Sequence, residues 1–234
     1  MSASVKRGYF PDDRHNFTGS ALETLHRAAG ELYFLLNRGY PAKSASAFIG
    51  NHYLLPERGR GALTRAVASE KDIAARKAKQ LRQVPKNETV HIDGFNEIIT
   101  LEVALSGSPV IACMDGTYRD LAGLRGTYRL IDKTDTAVRL IFAALREAAA
   151  EKAVFWLDKP ISNSGRLKAR IAEIAQEERF EAEIELADKV DQTLYELSNV
   201  ITGDSVILDH CESWLNLTER ILPRIPGAWV IQIS

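Results

Sequence analysis

Four aspartates stand directly behind short apolar runs rich in β-branched residues, the pattern best placed to do chemistry in this sequence. Asp93 closes Val90-His91-Ile92, Asp115 follows Val110 to Met114, Asp158 closes Val154 to Leu157, and Asp204 follows Val200-Ile201-Thr202-Gly203. Asp188 and Asp191 open a helical pattern behind the run ending at Leu186. Active sites of open parallel sheets form outside the carboxyl ends of the strands. Carboxylates gathered there repel one another unless cations neutralise them. Hard oxygen donors favour Mg²⁺ or Mn²⁺, and such a centre beside a phosphodiester supports metal-assisted hydrolysis. Each residue also has a plainer reading. Asp93-Gly94 and Asp115-Gly116 suit turns, Asp188 suits a helix cap, and Asp158 precedes Lys159-Pro160 as an ordinary strand exit. Recurrence of the pattern on four runs favours the metal site.

The elements that must position these aspartates change in character along the chain. Residues 1–18 read as a loose polar arm. Leu22, Leu25, Ala29, Leu32, Leu35 and Leu36 predict a helix from near Ser20 that stops at Asn37-Arg38-Gly39. A short helix is expected over about 41–49 and a longer one over about 56–83. Beyond Val84-Pro85-Lys86-Asn87, strand-like runs at about 89–92, 109–114, 153–157, 182–186, 199–202 and 228–233 alternate with helical patterns. That alternation predicts an α/β domain at 87–234, a parallel sheet sandwiched by helices, behind an all-α domain at 1–86.

Charge follows the same division. Residues 1–86 hold 15 Lys+Arg and 7 Asp+Glu, the rest 15 and 24, although the whole chain nets only −1. A basic half beside an acidic half is a hint of nucleic-acid interaction. The long helix would present Arg58, Arg60, Arg65, Lys71, Arg76, Lys77, Lys79 and Arg82 to phosphates, with Tyr9, Phe10, Tyr33, Tyr40 and Tyr53 available to stack on unpaired bases. Equally, this is a solvated helix face with core aromatics, or a surface that docks on the acidic half. Cys113 and Cys211 have no paired motif and read as buried thiols. The N-terminus lacks a signal-peptide core, and no apolar run spans a membrane. A cytoplasmic chain is expected, with no membrane partner.

Two segments flank the aspartates. Pro160 to Arg166 precedes a helix, and its Asn163, Ser164 and Arg166 could hold a phosphate at the helix N-terminus; a cap and tight turn explain it equally well. Arg119 to Gly126 reads as a solvated loop, with a flap aiming Arg119 and Arg125 at substrate as the alternative. The five histidines have no metal spacing, and His91 reads as packed.

At Val90-His91-Ile92-Asp93-Gly94-Phe95-Asn96 the sequence resembles the first motif of PIN-like nucleases, closest to their NYN-type branch with its Asp-Gly-x-Asn turn. Asp191-Gln192-Thr193-Leu194 and Val200-Ile201-Thr202-Gly203-Asp204-Ser205 resemble the later PIN pattern, an acidic residue opening a helix and a strand ending in Thr-x-Asp. This resemblance covers about 88–234. The whole chain is also similar to a two-part family of unknown function, through Leu35-Leu36-Asn37-Arg38-Gly39-Tyr40-Pro41, Ile49-Gly50-Asn51-His52-Tyr53 and Asp158 to Gly165. The PIN resemblance implies a divalent-metal-dependent ribonuclease with Asp93, Asp191 and Asp204 in acidic positions of the site, and Asp158 and Asp115 as additional ligands without a direct match. Asn96, Asn163, Ser164, Arg166 and Arg119 would position the scissile phosphate. The chain departs from the family in having Glu97 and Glu102 on the first helix and no acidic helix position in mid-chain, and its stretch between Asp191 and Asp204 is short. The expected function is a metal-dependent phosphodiesterase acting on RNA in preference to DNA, with room for a homodimer. The alternatives are a nucleic-acid-binding protein with a degenerate acidic site, or a Mg²⁺-dependent hydrolase of a small phosphate ester.

Overall fold

The computed structural model describes residues 5–124 and 126–233. Five helices come first: α1 (Asp13–Asn16), α2 (Gly19–Asn37), α3 (Ala42–His52), α4 (Glu57–Ala66) and α5 (Glu70–Ala78). Leu25, Ala28, Ala29 and Leu32 form the buried stripe of α2. That helix ends where Gly39, at φ 82°, donates to the Leu36 carbonyl and Tyr40 donates to that of Leu35, a left-handed stop that glycine adopts without Cβ strain.

The long helix expected over 56–83 is broken in two. Val67 is extended, and Ser69 caps α5 by accepting the Asp72 amide at 3.1 Å. The last carbonyl of α4, that of Ala66, accepts Met114 N–H at 2.8 Å instead of continuing the helix. The N-terminal arm, expected to be loose, is pinned where it is described. Arg7 pairs with the fully buried Glu102 at 2.8 Å, and Asp13 pairs with Arg58 at 2.7 Å.

The rest alternates strands and helices: β1 (Gln80–Leu81), β2 (Thr89–Asp93), α6 (Gly94–Leu105), β3 (Pro109–Ala112), β4 (Tyr118–Asp120), α7 (Thr134–Glu147), β5 (Lys152–Asp158), α8 (Ser164–Glu178), β6 (Glu181–Ala187), α9 (Val190–Leu194), β7 (Val200–Ile201), α10 (Ser205–His210), β8 (Trp214–Leu215), α11 (Leu217–Ile221) and β9 (Trp229–Gln232). A six-stranded sheet runs β1-β8-β7-β2-β5-β6, and every pairing in it is parallel. The other three strands form a separate sheet, β4-β3-β9, in which β3 and β4 make an antiparallel hairpin. One sheet was expected; two are present, because β3 pairs with the C-terminal strand β9 rather than with its sequence neighbour β2.

Alternation along β3 explains how the parts join. Val110 faces the large α/β core with Ile98, Leu101 and Phe142. Ile111 faces the opposite way and shares a core with Leu25, Ile49 and Leu63 of the helices. Successive strand side chains point to opposite faces, so the small sheet is the partition between two cores. Among the described residues no helix is long and apolar enough to cross a membrane.

Candidate acidic site at the switch point of the sheet

Strand β2 is central. The chain fills β5 and β6 on one side of it, then returns to place β7 and β8 on the other. The strand order therefore reverses between β2 and β7, which leaves a crevice at their carboxyl ends, the usual ligand position in such sheets. Asp93 ends β2, and Thr202, Gly203 and Asp204 follow β7.

Hydrogen bonds lock the two strand ends together. Thr202 Oγ1 donates to Asp93 Oδ2 at 2.8 Å and accepts the Asp204 N–H at 3.0 Å. The Gly203 N–H donates to Asn96 Oδ1 at 2.8 Å, and Arg119 Nε donates to the Gly203 carbonyl. A Cβ on Gly203 would lie 2.9 Å from the Tyr118 carbonyl and 3.1 Å from Asn96 Oδ1; one on Gly94 would lie 2.6 Å from Leu157 Cδ2. Both glycines are thus needed for close approach of neighbouring chain. Asp204 also caps α10, accepting the Val206 amide at 2.7 Å.

Four carboxylates share this sheet edge and act on one another. Asp93 is 6% exposed. Burial, with the charges of Asp204, Glu97 and Asp191, pushes its pKa well above the usual carboxylate range despite the Thr202 hydrogen bond. Asp191, on α9, is raised by desolvation and by Asp204 and Asp158. Asp158, at the end of β5, is raised by burial, with the Val190 amide opposing. None of Asp93, Asp158, Asp191 or Asp204 forms an ion pair with Lys or Arg among the described residues. As placed, no three His, Cys, Asp or Glu side chains among those residues are grouped tightly enough to hold a metal ion. The donor set itself, hard oxygens without a cationic partner, fits a divalent cation.

Asp115 is different. It lies on the hairpin of the small sheet, buried, and pairs with Arg76 at 2.7 Å and with Arg119. Burial alone would raise its pKa, but Arg119 and Thr117 outweigh that and hold it low. The expected ligand is a structural ion-pair anchor, already neutralised by its partners. Arg119, expected to position substrate, is spent on Asp115, the Gly203 carbonyl and the Arg65 carbonyl. Rather than opening a flap, it sits in β4; Arg125 lies outside the described residues.

At the start of α8, Asn163 Nδ2 donates to the Tyr128 carbonyl at 2.6 Å and Ser164 Oγ to that of Lys159 at 3.3 Å, so both side chains are engaged within the fold, while Arg166 is exposed. Asp188 is exposed, 4.0 Å from Lys159. His91 is packed as expected: its Nδ1 accepts the Trp156 indole N–H at 3.2 Å, and burial lowers its pKa.

The expected basic face also divides. Arg58 binds Asp13 and the carbonyls of Gly8 and Leu121; Arg60 binds the Leu55 carbonyl and Asn51; Arg76 binds Asp115 and Asp209. These are internal ties. Lys79 donates to the Asp209 and Cys211 carbonyls. Lys71, Lys77 and Arg82 stay exposed, and Arg65 is half-buried. Arg65, with Thr64, lines a cavity of about 350 Å³ together with Asn96, Gly203, Asp204 and Ser205. Helix α4 therefore contributes to the acidic site. Local pattern gave no sign of Thr64 or Ser205.

Glu97, one turn into α6, is another member that local pattern undervalues. It is 3% exposed and accepts from Thr218 Oγ1 at 2.7 Å. Burial pushes its pKa up from 4.5 to about 7. Between those values the folded state keeps a proton that the unfolded state releases, so stability falls as pH rises through the window and levels off above about 7. Glu97→Gln, which keeps an acceptor for Thr218, is expected to flatten that part of the profile and to stabilise the protein by up to about 3 kcal/mol at pH 8. Urea unfolding of both proteins at pH 5 and pH 8 checks it; equal stability gains at both pH values would contradict it.

The fold defines a mixed α/β protein with a helical N-terminal part and an unneutralised acidic edge on a parallel sheet. The chain belongs to the family described as "Domain of unknown function (DUF5616)", which matches residues 82–220. The family described as "Protein of unknown function (DUF434)" matches residues 24–79. The chain is 34% identical over 187 residues to "Uncharacterized protein MJ0935" of Methanocaldococcus jannaschii, covering 79% of this chain and 89% of that protein. No solved structure matches the chain.

Proposed function

We propose that the protein is a PIN-like, divalent-metal-dependent ribonuclease. The observation that carries the reading is the unpaired state of Asp93, Asp158, Asp191 and Asp204 at the switch point, against the double pairing of Asp115 a short distance away. The fold pairs arginines with Asp115 and, among the described residues, pairs none with these four aspartates. Carboxylates such as Asp93 and Asp191, raised by burial and by neighbouring carboxylates in a crevice, mark candidate functional sites.

Asp93, Asp191 and Asp204 would hold Mg²⁺ or Mn²⁺, with Asp158 adjoining. A cation bound there supplies a more acidic water and offsets charge on the leaving oxygen. The chain's own residues do the positioning. Thr202 fixes the Asp93 carboxylate, and Asn96, which lines the cavity, fixes Gly203 through its Oδ1 and keeps its Nδ2 as a donor for a phosphate oxygen. Arg65 and the exposed Lys71, Lys77 and Arg82 are the cations available to RNA phosphates.

The test is incubation of labelled single-stranded RNA with the protein in Mn²⁺, Mg²⁺ or EDTA, beside Asp93→Asn and Asp204→Asn. Cleavage only with metal, lost in both variants, is the expected result. RNA left intact in metal overturns the reading, whether RNA is bound without cleavage or a small phosphate ester is turned over instead.

A further inference from the structure

A larger groove adjoins the acidic cavity. Its volume is about 760 Å³, and its lining includes Phe10, Asn16, Thr64, Arg65 and Leu121. Thr64 and Arg65 line both spaces, so the two adjoin at α4. At its rim Phe10 is 45% exposed. An exposed phenyl ring on an N-terminal arm would ordinarily be mobile, but this one is held. Asp13 N–H donates to the Phe10 carbonyl at 3.1 Å, and the Arg58 guanidinium stands 5.6 Å over the ring. Arg58 is itself fixed by Asp13 and by the carbonyls of Gly8 and Leu121. A preorganised ring presents its face without first losing entropy.

We propose that this groove holds an unpaired nucleotide next to the scissile phosphate, its base stacked on Phe10 and its phosphate on Arg65. The proposal rests on the ribonuclease reading and extends it to substrate class, single-stranded RNA. Three observations carry it together. The groove shares Thr64 and Arg65 with the acidic cavity. Arg65 stands at the junction with no carboxylate partner among the described residues. An aromatic face with polar neighbours, Asn16 among them, suits a base, whereas a bare phosphate track would need more unpaired cations than the groove has, since Arg58 and Arg60 are spent on internal partners. A base inside a duplex cannot reach the ring, because both of its faces are covered by stacked neighbours.

Binding is measured in EDTA, so that no cleavage intervenes, by fluorescence anisotropy of a labelled single-stranded RNA 12-mer and of a blunt duplex of the same sequence. Stacking of one base predicts that Phe10→Ala weakens single-strand binding about tenfold, that Phe10→Tyr restores it, and that duplex binding does not change. Arg65→Ala weakens single-strand binding and makes it less salt-dependent. Melting temperatures of all variants are taken alongside; Phe10 is exposed and its loss is expected to leave them in place. Undiminished single-strand binding by Phe10→Ala, or equal loss on duplex, overturns the groove while wild-type cleavage would leave the ribonuclease reading standing. Wild-type protein that neither binds nor cuts RNA overturns both.

Discussion

Asp93→Asn is expected to make the protein more stable and to abolish the proposed metal-dependent cleavage. The two effects have one cause. Asp93 is a buried carboxylate whose charged form is disfavoured by desolvation and by Asp204, Glu97 and Asp191. An asparagine there keeps an acceptor for Thr202 Oγ1 and carries no charge. Near pH 8, where the repulsion is strongest, the gain should be about 1–2 kcal/mol, the scale found when a strained functional residue is relieved. The same substitution removes a ligand from the proposed cation site, and cleavage should fall by at least about a hundredfold, the scale typical of losing electrostatic stabilisation in an active site. A third readout needs no substrate. Mn²⁺ should raise the melting temperature of the wild type by binding the folded state alone, and should do so much less in Asp93→Asn. A variant that is destabilised, or one that keeps both cleavage and the Mn²⁺ shift, would place Asp93 among ordinary structural residues.

The position of Asp93 and Asp204 was legible because each is the first acidic residue near the end of an apolar run, and parallel strands deliver such residues to one edge. Asp115 has the same local signature and a different fate. Its strand, Pro109–Ala112, pairs with Trp229–Gln232 and with Tyr118–Asp120, and the choice of a strand partner more than a hundred residues away leaves no trace in local periodicity. The arginines show the same limit. Arg58, Arg65 and Arg76 look alike on a helical wheel, yet Asp13 claims the first and Asp115 with Asp209 the third. Only Arg65 is left facing the cavity. Strands β1 and β8, two residues each, are too short for alternation to register, although they complete the edge of the main sheet. The break between α4 and α5 does have a local sign, Ser69 followed three residues later by Asp72, a capping pattern masked by the basic residues that continue through it.

Arg76→Ala is expected to cost about 3 kcal/mol, the lower end for breaking a buried ion pair. Arg76 is 5% exposed and ties three pieces of the fold together. Its Nη1 donates to Asp115 on the β3–β4 hairpin at 2.7 Å, and its Nε and Nη2 donate to Asp209 on α10 at 2.7 and 3.0 Å. Its own carbonyl, on α5, accepts the indole N–H of the fully buried Trp214 at 2.7 Å. This side chain and its backbone are therefore one of the ties between the segments matched by the two families, 24–79 and 82–220. The cost stays at the lower end because Asp115 keeps Arg119 and Thr117, and because the Asp209 side chain, 41% exposed, regains water. Arg76→Met, which restores the volume of the stem, should recover part of the loss. Acid should erode what the pair contributes: the Asp115 pKa is held below its unfolded value of 3.8, so the stability it adds is present above that pH and is lost as pH falls through the lower folded value. The contrast with Lys77, its exposed neighbour, separates structure from recognition. Urea unfolding should register Arg76→Ala and be blind to Lys77→Ala, whereas RNA affinity, measured in EDTA well below the urea midpoint, should weaken for Lys77→Ala and hold for Arg76→Ala. Loss of RNA affinity by Arg76→Ala at unchanged stability would return Arg76 to the nucleic-acid surface.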